Sequence, residues 1–349
     1  MRKRNFWVIL TGVVIGIAAL ALTALGNPGN MGFCIACFLR DTSGALKLHS
    51  AEVVQYVRPE IVGMIVGSMI IAMLTREFKP RGGSSPMTRF VIAVVVMVGA
   101  LMFLGCPLRM MLRVGGGDLN ALIGLVGFIA GIFVGTLWMR GGFTLKRAYA
   151  QSMTEGLALP IITAVLMALS VLLPSLFAAS ESGPGSMHAP ILIALGFGLV
   201  VGGLCQRSRF CTVAASRDAM LFQDFSMLWG FVAVIVTTIV GNLILGKLHF
   251  SFMDQPVAHT DGLWNFLGMA LVGWGSVMLG GCPLRQVILA GEGNSDAGIT
   301  VIGFVVGAAI CHNFGLASSA KGPTANGMIA VIAGFIILTL IGLFNREKA

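Results

Sequence analysis

Ten apolar runs, divided by short polar breaks rich in glycine and proline, dominate the pattern of this chain. They cover approximately 5–25, 59–75, 88–105, 119–138, 157–178, 189–204, 226–246, 263–281, 297–315 and 327–344. Each is close to the roughly 20 residues that an α-helix needs to cross a bilayer. The pattern predicts an all-α polytopic membrane protein with about ten membrane segments. Met1-Arg2-Lys3-Arg4 followed by an apolar run also resembles a secretory signal peptide. With so many apolar segments behind it, this run is read as an uncleaved first span.

Composition sharpens that reading. Hydrophobic residues make up 56% of the 349 residues and charged residues only 11%, against roughly 25% charged in soluble domains. Forty-seven glycines suit helices that pack closely in lipid. With the N-terminus in the cytoplasm and ten alternating spans, sixteen of the lysines and arginines fall on the cytoplasmic side and seven outside. That bias follows the positive-inside rule and puts both termini in the cytoplasm. It also accounts for the net charge of +9 without nucleic acid.

The sequence repeats itself. Cys-Pro-Leu-Arg occurs at 106–109 and at 282–285, and the likeness extends from Asn120-Ala121 to Asp296-Ala297 and from Gly127-Phe128 to Gly303-Phe304. Upstream, Phe33-Cys34 and Arg40-Asp41 return as Phe210-Cys211 and Arg217-Asp218. The chain therefore divides into residues 1–180 and 181–349, with five spans each, forming one membrane domain. Homologous halves with an odd number of spans must lie upside down relative to each other, so the repeat is expected to be inverted, with a site between the halves. In that topology Cys34 and Cys106 approach from outside and Cys211 and Cys282 from inside.

The segments that carry Cys34 and Cys211 are too short and broken to be spans. Gly26-Asn27-Pro28-Gly29-Asn30 opens the first with helix-breaking chemistry, and Gly202 to Cys211 is read in the same way. Both are expected to be re-entrant, which is tolerated at depth only where protein or a water-filled cavity satisfies the backbone. Pro107 and Pro283 are expected to end or kink a helix, leaving amides free to hold an anion. The stretch from Arg76 to Arg89 reads as an ordinary cytoplasmic linker.

A lone cysteine in an apolar span is usually a small hydrophobe, and Cys311 is read so. Cys34, Cys106, Cys211 and Cys282 recur in register with arginines, which favours a functional reading as a substrate path. Cys37 and Cys205 are candidate accessory thiols. Cys34-x-x-Cys37 fits a redox pair, half of a metal site, or chance, and the scattered histidines speak against a closed zinc site. Arg109 and Arg285 either snorkel to the interface or, as repeated charges beside a cavity, attract an anion and favour ionised thiols. Arg40 and Arg217 are further candidates for anion attraction, with Asp41 and Asp218 as their pairing partners. No cofactor or metal is called for.

These motifs resemble the YeeE/YedE sulfur-transport family over about residues 8–340. Gly26 to Arg58, with Gly32-Phe33-Cys34-Ile35-Ala36-Cys37-Phe38 and Gln55-Tyr56-Val57-Arg58-Pro59-Glu60, looks like the branch associated with selenium metabolism. Arg81-Gly82-Gly83-Ser84-Ser85 and Gly116-Gly117-Asp118-Leu119-Asn120-Ala121-Leu122 add to that match. The resemblance implies a channel-like transporter in a bacterial inner membrane, not an enzyme, which takes up thiosulfate or a related chalcogen anion. Its thiols would pass the anion inward by transient S–H hydrogen bonds, here through Cys34, Cys106, Cys282 and Cys211. It also implies a TusA-like sulfur-carrier protein at the cytoplasmic face. Two other readings stay open: a membrane thiol redox protein, and a docking scaffold for a sulfur or selenium carrier.

Overall fold

The computed structural model describes residues 2–347; Met1 and Lys348, which entered the reading of the termini, lie outside the described residues. All ten expected spans are helices: α1 (Arg2–Ala24), α3 (Pro59–Leu74), α4 (Pro86–Met102), α6 (Leu119–Arg140), α7 (Met153–Leu172), α8 (Ile191–Ser208), α10 (Ser226–Ile244), α11 (Gly262–Met278), α13 (Ser295–Asn313) and α14 (Ala325–Phe344). Four shorter helices lie between them: α2 (Ile35–Ala45), α5 (Pro107–Gly115), α9 (Thr212–Phe222) and α12 (Pro283–Gly291). One two-residue antiparallel pair, β1 (Arg81–Gly82) with β2 (Tyr149–Ala150), is the only named sheet among the described residues. Nine segments are long and apolar enough to cross a membrane, and α3 is a shorter apolar helix. The protein is an all-α polytopic membrane protein.

Packing pairs helices that are distant in sequence. The most extensive contacts join α6 to α11, α3 to α8, α1 to α10 and α4 to α13, and α4 also packs on α11. Glycine sets how close two of these pairs come. A Cβ on Gly131 would lie 1.9 Å from the carbonyl oxygen of Ala270, and one on Gly67 would lie 2.2 Å from that of Leu199. Backbones in contact of this kind are the membrane solution to packing without a hydrophobic drive.

Two expectations change in detail. Pro107 and Pro283 do not kink a helix from within; each is the first residue of a short helix, preceded by a cysteine in extended conformation. At that position the missing N–H of proline costs nothing, because the first amides of a helix lack partners anyway. The break comes earlier, at Leu104 and at Gly280, which occupy the left-handed region with φ of 61° and 81°. The segment 202–211 is also more regular than expected, since α8 runs through Ser208 and only Arg209 to Cys211 is irregular. Gly202 does not break the helix; a Cβ there would lie 2.3 Å from the carbonyl oxygen of Met64 on α3, so it serves close packing.

Candidate functional site

Each of the four repeated cysteines sits immediately before a short helix. Cys34 and Cys211 are N-cap residues of the 11-residue helices α2 and α9, and Cys106 and Cys282 those of the nine-residue helices α5 and α12. A helix start leaves its first N–H groups without partners inside the helix. Here some of them find sulfur. The amide of Ile35 donates to Cys106 Sγ at 3.2 Å, and that of Cys37 donates to Cys34 Sγ at 3.2 Å.

The thiols therefore gather in two groups. Cys34, Cys37 and Cys106 form one, with Cys34 Sγ 2.6 Å from Cys37 Sγ and all three side chains buried as free thiols. Cys211 and Cys282 form the other, with their sulfurs 3.8 Å apart. Cys205, on α8, and Cys311, on α13, are buried as well; neither makes a side-chain hydrogen bond among the described residues.

Cys211 opens onto a cavity of about 540 Å³, and Cys282 lies behind it, 1% exposed. Five cations line this cavity: Lys79, Arg81, Arg209, Arg217 and Arg285. Three carboxylates oppose them: Glu77, Asp218 and Glu292. Arg285 and Arg209 both reach Glu292, at 2.9 and 3.0 Å, and Arg209 also reaches Glu77 at 3.0 Å. Arg217 pairs with Asp218 at 2.8 Å. The side-chain amide of Gln206 donates to Glu77 at 2.7 Å. That bond, with Arg209 and Arg207 nearby, holds the Glu77 carboxyl below its ordinary range. Among the described residues Lys79 and Arg81 make no ion pair, so a net charge of two cations faces the cavity. A thiol in the wall and excess positive charge suit a small, soft anion.

The supposed linker from Arg76 to Arg89 supplies part of this wall. Lys79 N donates to Glu292 O at 3.2 Å, Arg81 N to Gly293 O at 3.3 Å, and Asp296 accepts from Gly83 N at 2.8 Å. These bonds fold the segment against the start of α13 and turn Glu77, Lys79 and Arg81 toward Cys211. Their charge density was the one signal in the sequence, and Glu292 carried none beyond its place in the polar turn Gly291-Glu292-Gly293.

The other group of thiols has a different electrostatic setting. Arg40 and Arg58 both pair with Asp41, at 2.6 and 2.7 Å, and all three side chains are buried. Arg109 is fully buried and has no carboxylate partner among the described residues. Its guanidinium donates to the carbonyls of Asn30 at 3.2 Å, Pro256 at 3.0 Å, Val257 at 3.2 Å and, more closely, Leu104, with Cys37 Sγ 3.9 Å away. Of the four arginines expected to attract an anion, Arg217 and Arg285 face a cavity, whereas Arg40 and Arg109 have their donors engaged inside the protein.

The fold and this arrangement define a polytopic membrane protein that keeps paired thiols behind a cationic vestibule. The sequence model of the family described as Sulphur transport matches residues 207–344, which include Cys211, Arg217, Cys282 and Arg285. Over those residues, about two fifths of its length, the chain is similar to this family. It is similar to the thiosulfate transporter TsuA of Escherichia coli (strain K12), with 26% identity over 127 residues. That match spans 36% of this chain and 36% of the length of the relative.

Proposed function

We propose that this protein transports a small sulfur-containing anion, thiosulfate or a close chalcogen analogue such as a selenium oxyanion, inward along a relay of cysteine thiols. The observation that carries the reading is Cys211 in the wall of the 540 Å³ cationic cavity with Cys282 3.8 Å behind it. A thiol donates and accepts weakly, so it binds such an anion without trapping it. Conduction needs several modest sites in series, and the group of Cys34, Cys37 and Cys106 provides the second station. Arg217, Arg285, Lys79 and Arg81 raise the local anion concentration at the vestibule.

The recurrence of Cys34, Arg40 and Cys106 as Cys211, Arg217 and Cys282 supports two inverted halves, 1–180 and 181–349, in a bacterial inner membrane. The excess of lysine and arginine on one side supports cytoplasmic termini and a cytoplasmic vestibule. The vestibule is then the docking place for a TusA-like sulfur carrier that takes the anion as it emerges. A second reading, a thiol redox protein, is favoured by the 2.6 Å approach of the Cys34 and Cys37 sulfurs.

Uptake of labelled thiosulfate and labelled selenite by cells expressing the wild-type chain or the Cys106→Ala, Cys282→Ala double variant tests the relay. Uptake should vanish in the double variant, and the better-accumulated label identifies the substrate. Full uptake by the double variant would refute the relay. Uptake of neither label, with a disulfide between Cys34 and Cys37 found by thiol trapping, would favour the redox reading.

A further inference from the structure

Glu60 stands in the first turn of α3 with its side chain fully buried. One carboxyl oxygen accepts from Asn27 Nδ2 at 2.8 Å, and the other, Oε2, has no partner. An ionised carboxylate removed from water needs pairing or several donors, and the usual alternative is to take up a proton. In a membrane segment such a group is a functional site by default.

The groups around it leave both protonation states within reach. The charged neighbours whose fields reach Glu60 are Arg58 and Asp41. Arg58 is already committed: it pairs with Asp41 and donates to Met187 O at 3.1 Å and Pro184 O at 2.7 Å. With Arg40 also on Asp41, the four side chains sum to zero charge when Glu60 is ionised and to one positive charge when it is neutral. On the remaining side Tyr56 stacks on His188, with ring centroids 4.1 Å apart, and its buried hydroxyl has no partner. His188 is exposed, so this stack joins the Tyr56 ring to the protein surface.

Asn27 connects that carboxyl to the thiols. The same Nδ2 that donates to Glu60 donates to Gly32 O at 3.2 Å, and Oδ1 accepts from Ala189 N at 2.8 Å, ahead of α8. Gly32 lies two residues before Cys34. A charge-assisted hydrogen bond is about twice as strong as a neutral one, so protonation of Glu60 loosens its hold on Asn27 and lets the amide turn toward Gly32. At the corresponding places in the second half, 176 and 177 residues on, stand Val236 and Thr237, which do not titrate.

We infer that Glu60 is a proton-binding site that, through Asn27, sets the position of the segment bearing Cys34 and so makes one end of the thiol path responsive to pH. For uptake the inference rests on the transport reading, but proton binding and thiol position do not. Infrared titration of the purified full-length protein should show a protonated-carboxyl band that appears as pH falls and is missing in Glu60→Gln. In chains retaining Cys34 as the only cysteine, the rate of its reaction with a small methanethiosulfonate reagent, after division by the roughly tenfold rise per pH unit that thiolate formation itself gives, should change about three- to tenfold across the same pH step, the range that one hydrogen bond allows. Glu60→Gln should hold that ratio constant. If Glu60→Gln does not fold, Glu60→Asp must shift the band and its midpoint instead. An infrared band unchanged by either substitution, or the same pH response of Cys34 in both chains, would overturn the inference. In cells, Glu60→Gln should flatten the pH profile of labelled thiosulfate uptake; absence of uptake by the wild-type chain itself, with both purified-protein results intact, would count against transport, not against the proton site.

Discussion

Replacing Arg109 with lysine separates two roles that the repeated tetrapeptide leaves superimposed. The guanidinium joins Asn30, Leu104 and the Pro256-Val257 turn, three irregular backbone stretches that no helix ladder satisfies. A lysine keeps the charge but presents its donors from a single point, so it can serve at most part of this set. Losing two hydrogen bonds from a charged donor removes about 3–6 kcal/mol. For a chain of this size that lowers the melting midpoint by roughly 4–8 °C. Arg285→Lys is the matched control: its side chain lines the vestibule and pairs with the one partner Glu292, a contact between two charges that a lysine ammonium can keep. The assay is thermal unfolding in detergent followed by intrinsic tryptophan fluorescence, with labelled thiosulfate uptake measured in parallel. Arg109→Lys should melt far lower, whereas Arg285→Lys should melt near the wild type and take up less label. A midpoint for Arg109→Lys within about 1.4 °C of wild type, where roughly 1 kcal/mol would lie, would refute the stitching role.

Two further outcomes test the packing and the vestibule. Gly131→Val places a branched side chain where a Cβ already meets Ala270 O at 1.9 Å; α6 and α11 must separate, and size-exclusion chromatography should show little folded protein, whereas Gly196→Val, with nothing within 4 Å, should express normally. Glu292→Gln frees Arg285, leaves Arg209 with Glu77 alone and raises the net charge of the vestibule by one, so inhibition of uptake by competing sulfate should strengthen and should weaken again in high salt.

Much of the molecule is legible in the sequence because bilayer physics is nearly one-dimensional. A span must be apolar over about 20 residues, so all ten helices fell where hydropathy put them. A duplicated motif survives in the letters whatever the packing, so Cys34, Cys106, Cys211 and Cys282 stood out together. The letters do not record which partner a polar group meets. Arg109 and Arg285 follow the same Cys-Pro-Leu, yet one is enclosed by carbonyls and the other faces a cavity, because different loops fold over them. Likewise Gly202 reads as a breaker until α3 is placed against it, and the run from Arg76 to Arg89 reads as a linker until Gly293 and Asp296 bind it. Glu60 looks interfacial at the start of a span, and only the arrival of Asn27, Tyr56 and the Arg58–Asp41 pair buries it. Hydropathy and repetition determined the helices and the cysteines; the assignment of each charge, whether structural, attracting or titratable, was decided by tertiary contacts, since desolvation and hydrogen-bond partners exist only in three dimensions.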